Sequence, residues 1–71
     1  MAISYKKLWK LLIDRDMKKK DLIALSGISQ SSVTKMGKNE NVNTDVLVRI
    51  CQALNCDIGD ISEIILQENN D

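Results

Sequence analysis

The chain has 71 residues, 44% of them apolar and 28% charged, with ten basic and ten acidic side chains that cancel. A chain this short buries about 60% of its unfolded surface, enough for one core and too little for a deep cleft between domains, so a single domain over residues 1–71 is expected. The absence of histidine removes the commonest metal ligand and the commonest general base, and two cysteines by themselves make neither a zinc site nor a disulfide scaffold.

No enzyme, metal site or cofactor is therefore expected. Ser29, Ser31 and Ser32, for instance, have no histidine to activate them. No apolar run reaches the roughly 18 residues of a membrane span, and residues 1–10 lack the apolar core of a signal peptide. A cytoplasmic protein with no membrane partner is the expectation. The lack of proline, the three glycines and the single Tyr and Trp disfavour a sandwich or barrel and favour helices.

The first periodic segment carries Tyr5, Leu8, Trp9, Leu12 and Ile13 at i, i+3, i+4, i+7 and i+8, the apolar stripe of an amphipathic helix. Ser4 is its expected N-cap, and the helix should reach about Arg15. A second, short helix is expected from Lys18 to Leu25, burying Leu22, Ile23 and Leu25. Lys18, Lys19 and Lys20 at its start oppose the helix dipole, a strain that an anion would relieve.

Ser26-Gly27 ends this helix, with Gly27 suited to a left-handed backbone. Ile28 should plug the turn into the core, and Ser29 should cap a third helix from Gln30 to about Met36. Val33 and Met36 are its buried side. Gln30, Ser31, Ser32, Thr34 and Lys35 make an outer face of amides and hydroxyls with one charge. After a polar connector from Gly37 to Asn43, a fourth helix is expected with Val46, Leu47, Ile50, Cys51 and Leu54 inward and Asn55 after its end. A fifth helix is expected after Asp57, with Ile58, Ile61, Ile64 and Ile65 apolar, followed by a polar, frayed tail from Gln67 to Asp71.

The zero net charge hides an asymmetry. Residues 1–38 hold nine basic and three acidic side chains, +6, and residues 39–71 hold one basic and seven acidic, −6. One end is thus suited to a polyanion and the other faces away from it. Two short helices joined by a tight Gly-containing turn, the second capped by Ser and polar outside, form a helix-turn-helix pattern over about residues 18–36. The start of the third helix can enter a major groove about 12 Å wide, where Gln bonds adenine bidentately and Ser or Thr reaches several base edges. Lys35 can reach guanine or a phosphate. Lys19, where the second helix would abut the backbone, suits a phosphate.

On these residues the chain resembles the Cro/C1-type (XRE-like) helix-turn-helix regulators, from about Tyr5 to Ile65. The likeness rests on Lys18-Lys19-Lys20-Asp21-Leu22-Ile23, on Ser26-Gly27-Ile28-Ser29-Gln30-Ser31-Ser32-Val33, on the run from Val46 to Cys56 and on Asp57-Ile58-Gly59-Asp60-Ile61. It is greatest with the minimal, stand-alone regulators of Gram-positive bacteria that serve mobile elements or small resistance operons, glycopeptide resistance among them. The resemblance implies an all-α, compact five-helix bundle of the lambda-repressor-like kind that binds double-stranded DNA and regulates transcription. It implies base reading by Gln30, Ser31, Thr34 and Lys35, and phosphate binding by Lys19, Ser29, Ser32, Lys38, Asn39 and Asn41.

The sequence departs from the family pattern at three places. Lys18-Lys19 stands where Thr or Ser followed by Gln is usual, Ile23 where Ala is common, and Gly37-Lys38-Asn39 follows Met36 directly, which should shorten the third helix. A homodimer through Ile58, Ile61, Ile64 and Ile65 is expected, because two-fold pairing spaces two recognition helices by about one DNA turn, roughly 34 Å. No small-molecule effector is expected in so short a chain. The rival reading is a protein-interaction module, such as an antitoxin or polymerase-binding adaptor, that has lost DNA binding. Cys51, mid-stripe, reads as a small buried hydrophobe.

Overall fold

The computed structural model describes residues 2–66. A short strand β1 (Ala2–Ser4) leads into α1 (Lys6–Asp14), α2 (Lys19–Ser26), α3 (Gln30–Gly37) and α4 (Thr44–Leu54). A 3-10 turn (Ile58–Asp60) and a strand β2 (Glu63–Ile65) follow. The two strands pair antiparallel, Ala2 opposite Ile65, Ile3 opposite Ile64 and Ser4 opposite Glu63. Helices dominate, as the composition predicts, but the molecule has four α-helices and a two-stranded sheet rather than five helices.

One core joins every helix. Tyr5, Leu8 and Leu12 of the first helical segment meet Leu22, Ile28, Val33, Met36, Leu47, Ile50, Leu54 and Ile61. Their spacing of three and four residues puts them on one side of each helix. In the first two helices, two residues of the predicted buried sides lie outside. Ile13 is 75% exposed and Leu25 59% exposed, because each stands in the last turn of a short helix and the chain then turns away. Leu11 and Met17 pack against the core instead. Trp9 packs there too, from a half-buried position.

The helix ends explain the sharp turns. α1 closes with Asp16 in the left-handed region (φ 60°), and the Met17 N–H donates to the Leu12 carbonyl at 2.8 Å. This is the six-to-one bond of a Schellman motif, with the apolar pair Leu12 and Met17 across it. α4 closes in the same way at Asn55 (φ 54°), where the Cys56 N–H donates to the Cys51 carbonyl at 3.0 Å. Ser4 caps less directly than predicted. It belongs to β1, is buried, and its Oγ accepts the Lys6 N–H at 3.2 Å, so Tyr5 holds the cap position.

The predicted fifth helix is the main correction. Asp57 does act as a cap, its carboxylate accepting the Ile58 N–H at 2.7 Å, but only one 3-10 turn follows. The Ser62 hydroxyl donates back to the Ile58 carbonyl at 2.9 Å and ends it. The β-branched Ile64 and Ile65 then enter a strand, where stiff side chains fit better than in a helix. Ile61 closes the core at 0% exposure. Lys7 ties this segment to α1, donating to the Gly59 carbonyl at 3.1 Å and lying 3.7 Å from the Glu63 carboxylate. The tail from Gln67 to Asp71 lies outside the described residues.

Candidate nucleic-acid interface

The turn between α2 and α3 is built as its residues require. The Gly27 N–H donates to the Ile23 carbonyl at 2.9 Å, and Gly27 itself is left-handed (φ 78°), a backbone that disfavours any side chain with a Cβ. Ser26 reinforces the exit, its hydroxyl donating to the Leu22 carbonyl at 2.6 Å. Ile28 drops into the core, and Val33 and Met36 pin α3 to the domain. Ile23, larger than the family's usual Ala, is accommodated half-buried against the core. α3 runs to Gly37, one residue beyond its predicted end.

α3 thereby presents its first turn outward. Gln30, Ser31, Thr34 and Lys35 are all exposed, and Lys35 carries the only charge on that face. The Ser29 Oγ accepts the Ser32 N–H at 3.1 Å and lies 3.0 Å from the hydroxyls of both Ser31 and Ser32. These three serines thus form one hydroxyl cluster at the helix start, where unpaired N–H groups and the helix dipole favour an anion. The Thr34 hydroxyl donates to the Gln30 carbonyl at 3.0 Å. Its donor is committed to the helix, although the residue is exposed.

The predicted phosphate residues separate into places. Ser32, Lys35 and Asn41 line one concavity of about 200 Å³ beside α3, with Val42, Asn43 and Val46 as its other walls. Lys38 is exposed at the end of α3. Asn39 is left-handed (φ 58°), and its side-chain oxygen accepts the Tyr5 N–H at 3.3 Å. Next to it the Tyr5 hydroxyl donates to the Glu40 carbonyl at 2.9 Å. Asn39 is therefore first a clamp between this loop and the start of α1, and among the described residues its NH₂ has no hydrogen-bond partner. Lys19 stands apart at the head of α2, in a hollow of about 240 Å³ with Trp9, Leu12, Ile13, Met17 and Lys18.

Two features of this surface go beyond what the sequence predicts. Lys19 Nζ lies over the Trp9 ring, 4.7 Å from its centroid. The Asp21 carboxylate accepts the Lys18 N–H at 2.8 Å and sets a negative charge at the positive end of α2, offsetting its three lysines. The i, i+3 spacing of Lys18 and Asp21 is a signal that a search for capping residues would find; the Trp9–Lys19 approach crosses two helices and has no local signal. Among the described residues the ion pairs are Lys7–Glu63 and Asp45–Arg49. Lys18, Lys19, Lys20, Lys35 and Lys38 are unpaired there, so the basic half of the chain keeps its charge outward.

The predicted dimer residues also divide. Ile58, Ile64 and Ile65 are exposed at 47%, 60% and 45%, whereas Ile61 is wholly within the core. The helical stripe that would have aligned all four does not form, and Ile61 has no surface to offer a partner. Cys51 and Cys56 are free thiols that line an apolar groove of about 380 Å³ with Leu47, Val48 and Ile58. Burial and the neighbouring Cys56, Asp57 and Asp60 push the Cys51 thiol up to about 11, so at neutral pH it is uncharged; it packs against the core from a half-buried position rather than the buried one its place in the stripe suggests. Among the described residues no three His, Cys, Asp or Glu side chains are grouped to hold a metal ion, and no helix is long and apolar enough to cross a membrane.

A left-handed glycine turn, a Ser-capped second helix anchored by two apolar residues, and a polar outward first turn define the DNA-binding helix-turn-helix class. The sequence model of the Cro/C1-type HTH DNA-binding domain matches residues 7–67, and the chain belongs to that family. Among solved structures it is similar to the crystal structure of the transcriptional regulator VanUg, with 57% sequence identity and a TM-score of 0.87 over 93% of this chain and 88% of that one. No curated protein matches it.

Proposed function

We propose that the chain is a sequence-specific regulator of transcription, a repressor or autoregulator of a small bacterial operon, that lays α3 in the major groove of duplex DNA. The observation that carries this reading is the exposed first turn of α3, Gln30, Ser31, Thr34 and Lys35, held at a fixed angle by Gly27 and by the buried Ile28, Val33 and Met36. Gln30 offers the two-pronged amide that matches adenine N6 and N7, and the exposed Ser31 and Thr34 suit base edges beside it. Lys35 reaches guanine or a phosphate. Lys19, Ser29, Ser32, Lys38, Asn41 and the NH₂ of Asn39 meet the backbone and set the register.

The likeness to VanUg, a transcriptional regulator by name, supports the regulatory half of this reading. It fits the resemblance to small resistance-operon regulators seen in the sequence. The protein acts without an effector ligand, as a homodimer. Ile58, Ile64 and Ile65 form its contact face, with Ile61 behind them as support. Pairing through that face gives the two-fold that a pair of half-sites requires.

Fluorescence anisotropy tests the proposal. The duplex is the sequence upstream of the protein's own gene, with a scrambled duplex beside it, and both are titrated across a salt series. Retention of the first at physiological salt, with release of the second, is the expected result. Equal and salt-labile binding to both contradicts sequence-specific recognition and leaves only phosphate attraction. No binding to either duplex favours the interaction-module reading.

A further inference from the structure

We propose that Trp9 is the positioning residue for the Lys19 ammonium, holding it over the indole face so that it meets a DNA phosphate; this rests on the DNA reading above. The chain supplies the geometry in steps. α1 ends in the left-handed Asp16, and the Met17 N–H returns to the Leu12 carbonyl at 2.8 Å. That reversal sets the first residue of α2, Lys19, alongside Trp9 in the preceding helix. Leu12 and Met17 line the same hollow as Trp9 and Lys19, and the Asp21 carboxylate holds the Lys18 N–H at 2.8 Å. Lys19 Nζ then lies 4.7 Å from the ring centroid, inside the roughly 6 Å over which a ring's negative face attracts a cation.

The ring and a phosphate do not compete for the same side of the ammonium. Lys19 is exposed, so one side of its head faces the indole while the others point to solvent. A lysine head is a compact, strongly hydrated charge on a flexible four-carbon stem. Resting it on a half-buried ring removes much of that freedom before DNA arrives, which lowers the ordering cost of the contact. Among the described residues, neither Lys18 nor Lys20 lies over an aromatic ring.

Because the role concerns a phosphate, a mixed-sequence 20-base-pair duplex at low salt is a sufficient probe. Its affinity is measured by anisotropy for the wild type, Trp9→Leu, Trp9→Phe, Lys19→Ala and Trp9→Leu with Lys19→Ala. The NMR shifts of the Lys19 side-chain methylenes are measured in the DNA-free protein. The wild type should show those methylenes upfield of the Lys18 and Lys20 ones, as ring current requires, and Trp9→Leu should abolish the difference. Trp9→Leu should weaken duplex binding about two- to fivefold, Trp9→Phe should recover part of the loss, and Trp9→Leu should have no further effect once Lys19 is Ala.

Unshifted Lys19 methylenes in the wild type overturn the proposal. So does a Trp9→Leu loss that is equal with and without Lys19, which would mark Trp9 as a packing residue only. Failure of the wild type to bind duplex at all overturns the DNA reading and this role together, and is distinguished from the other two outcomes by that fact.

Discussion

Gly27 shows how one residue sets the geometry of a surface. A Cβ added there would lie 3.6 Å from Arg49 Nη1, an ordinary contact, so space is not the obstacle. The φ of 78° is, because a side chain in the left-handed region costs roughly 1–2 kcal/mol. Gly27→Ala should therefore lower the denaturation midpoint by about 1–2 kcal/mol of stability with an unchanged denaturant slope. An unaffected midpoint would mean that the turn adapts. Cys51 makes a second residue-scale prediction. Its thiol is raised from about 9 to about 11 in the folded chain, so the fold favours the protonated form. The stability this contributes is full below about pH 9 and is lost as pH climbs toward about 11. Urea midpoints measured from pH 7 to 11 should fall, and the fall should be shallower in Cys51→Ala.

At the scale of elements, the four helices and several of their ends are legible in the sequence because their signals are local. Ser29 stands three residues before the N–H that it caps, Gly27 and Asn55 occupy left-handed positions, and the buried residues fall at helical spacing. The small sheet is not legible. Ala2-Ile3-Ser4 is three residues long and pairs with Glu63-Ile64-Ile65 some sixty residues away, so nothing local marks either strand. Ile58, Ile61, Ile64 and Ile65 have a spacing that a helix would also give, and the outcome was decided by the Ser62 stop, by β-branching and by a partner strand. The consequence is testable with two isoleucines only three residues apart. Ile61→Ala should cost about 2–5 kcal/mol because it empties the core, whereas Ile64→Ala should change monomer stability by less than about 0.5 kcal/mol. Ile64→Asp should instead shift sedimentation toward the monomer, and a dimer that persists would contradict the proposed contact face.

For the molecule as a whole, the candidate DNA surface was partly legible. The outward residues of α3 follow from the helical period, since Val33 and Met36 must point in and the rest of the first turn therefore points out. What the period does not reveal is how these side chains are already engaged. Asn39 holds α1 through Tyr5, Thr34 bonds its own helix, and Lys19 rests on Trp9. These are contacts between segments or within a helix face, and residue types alone do not fix them. The charge division is legible from counting, and the structure adds that the lysines of α2 and α3 are unpaired among the described residues while Lys7 is tied to Gly59 and Glu63.

Base reading by α3 is tested most directly by Gln30→Ala against a panel of duplexes. The panel varies the upstream site one base pair at a time, at fixed physiological salt. The variant should lose about 1–3 kcal/mol on the parent duplex and become indifferent at one position, while keeping its discrimination elsewhere. An unchanged pattern of preferences in Gln30→Ala would contradict the assignment of α3 as the reading helix.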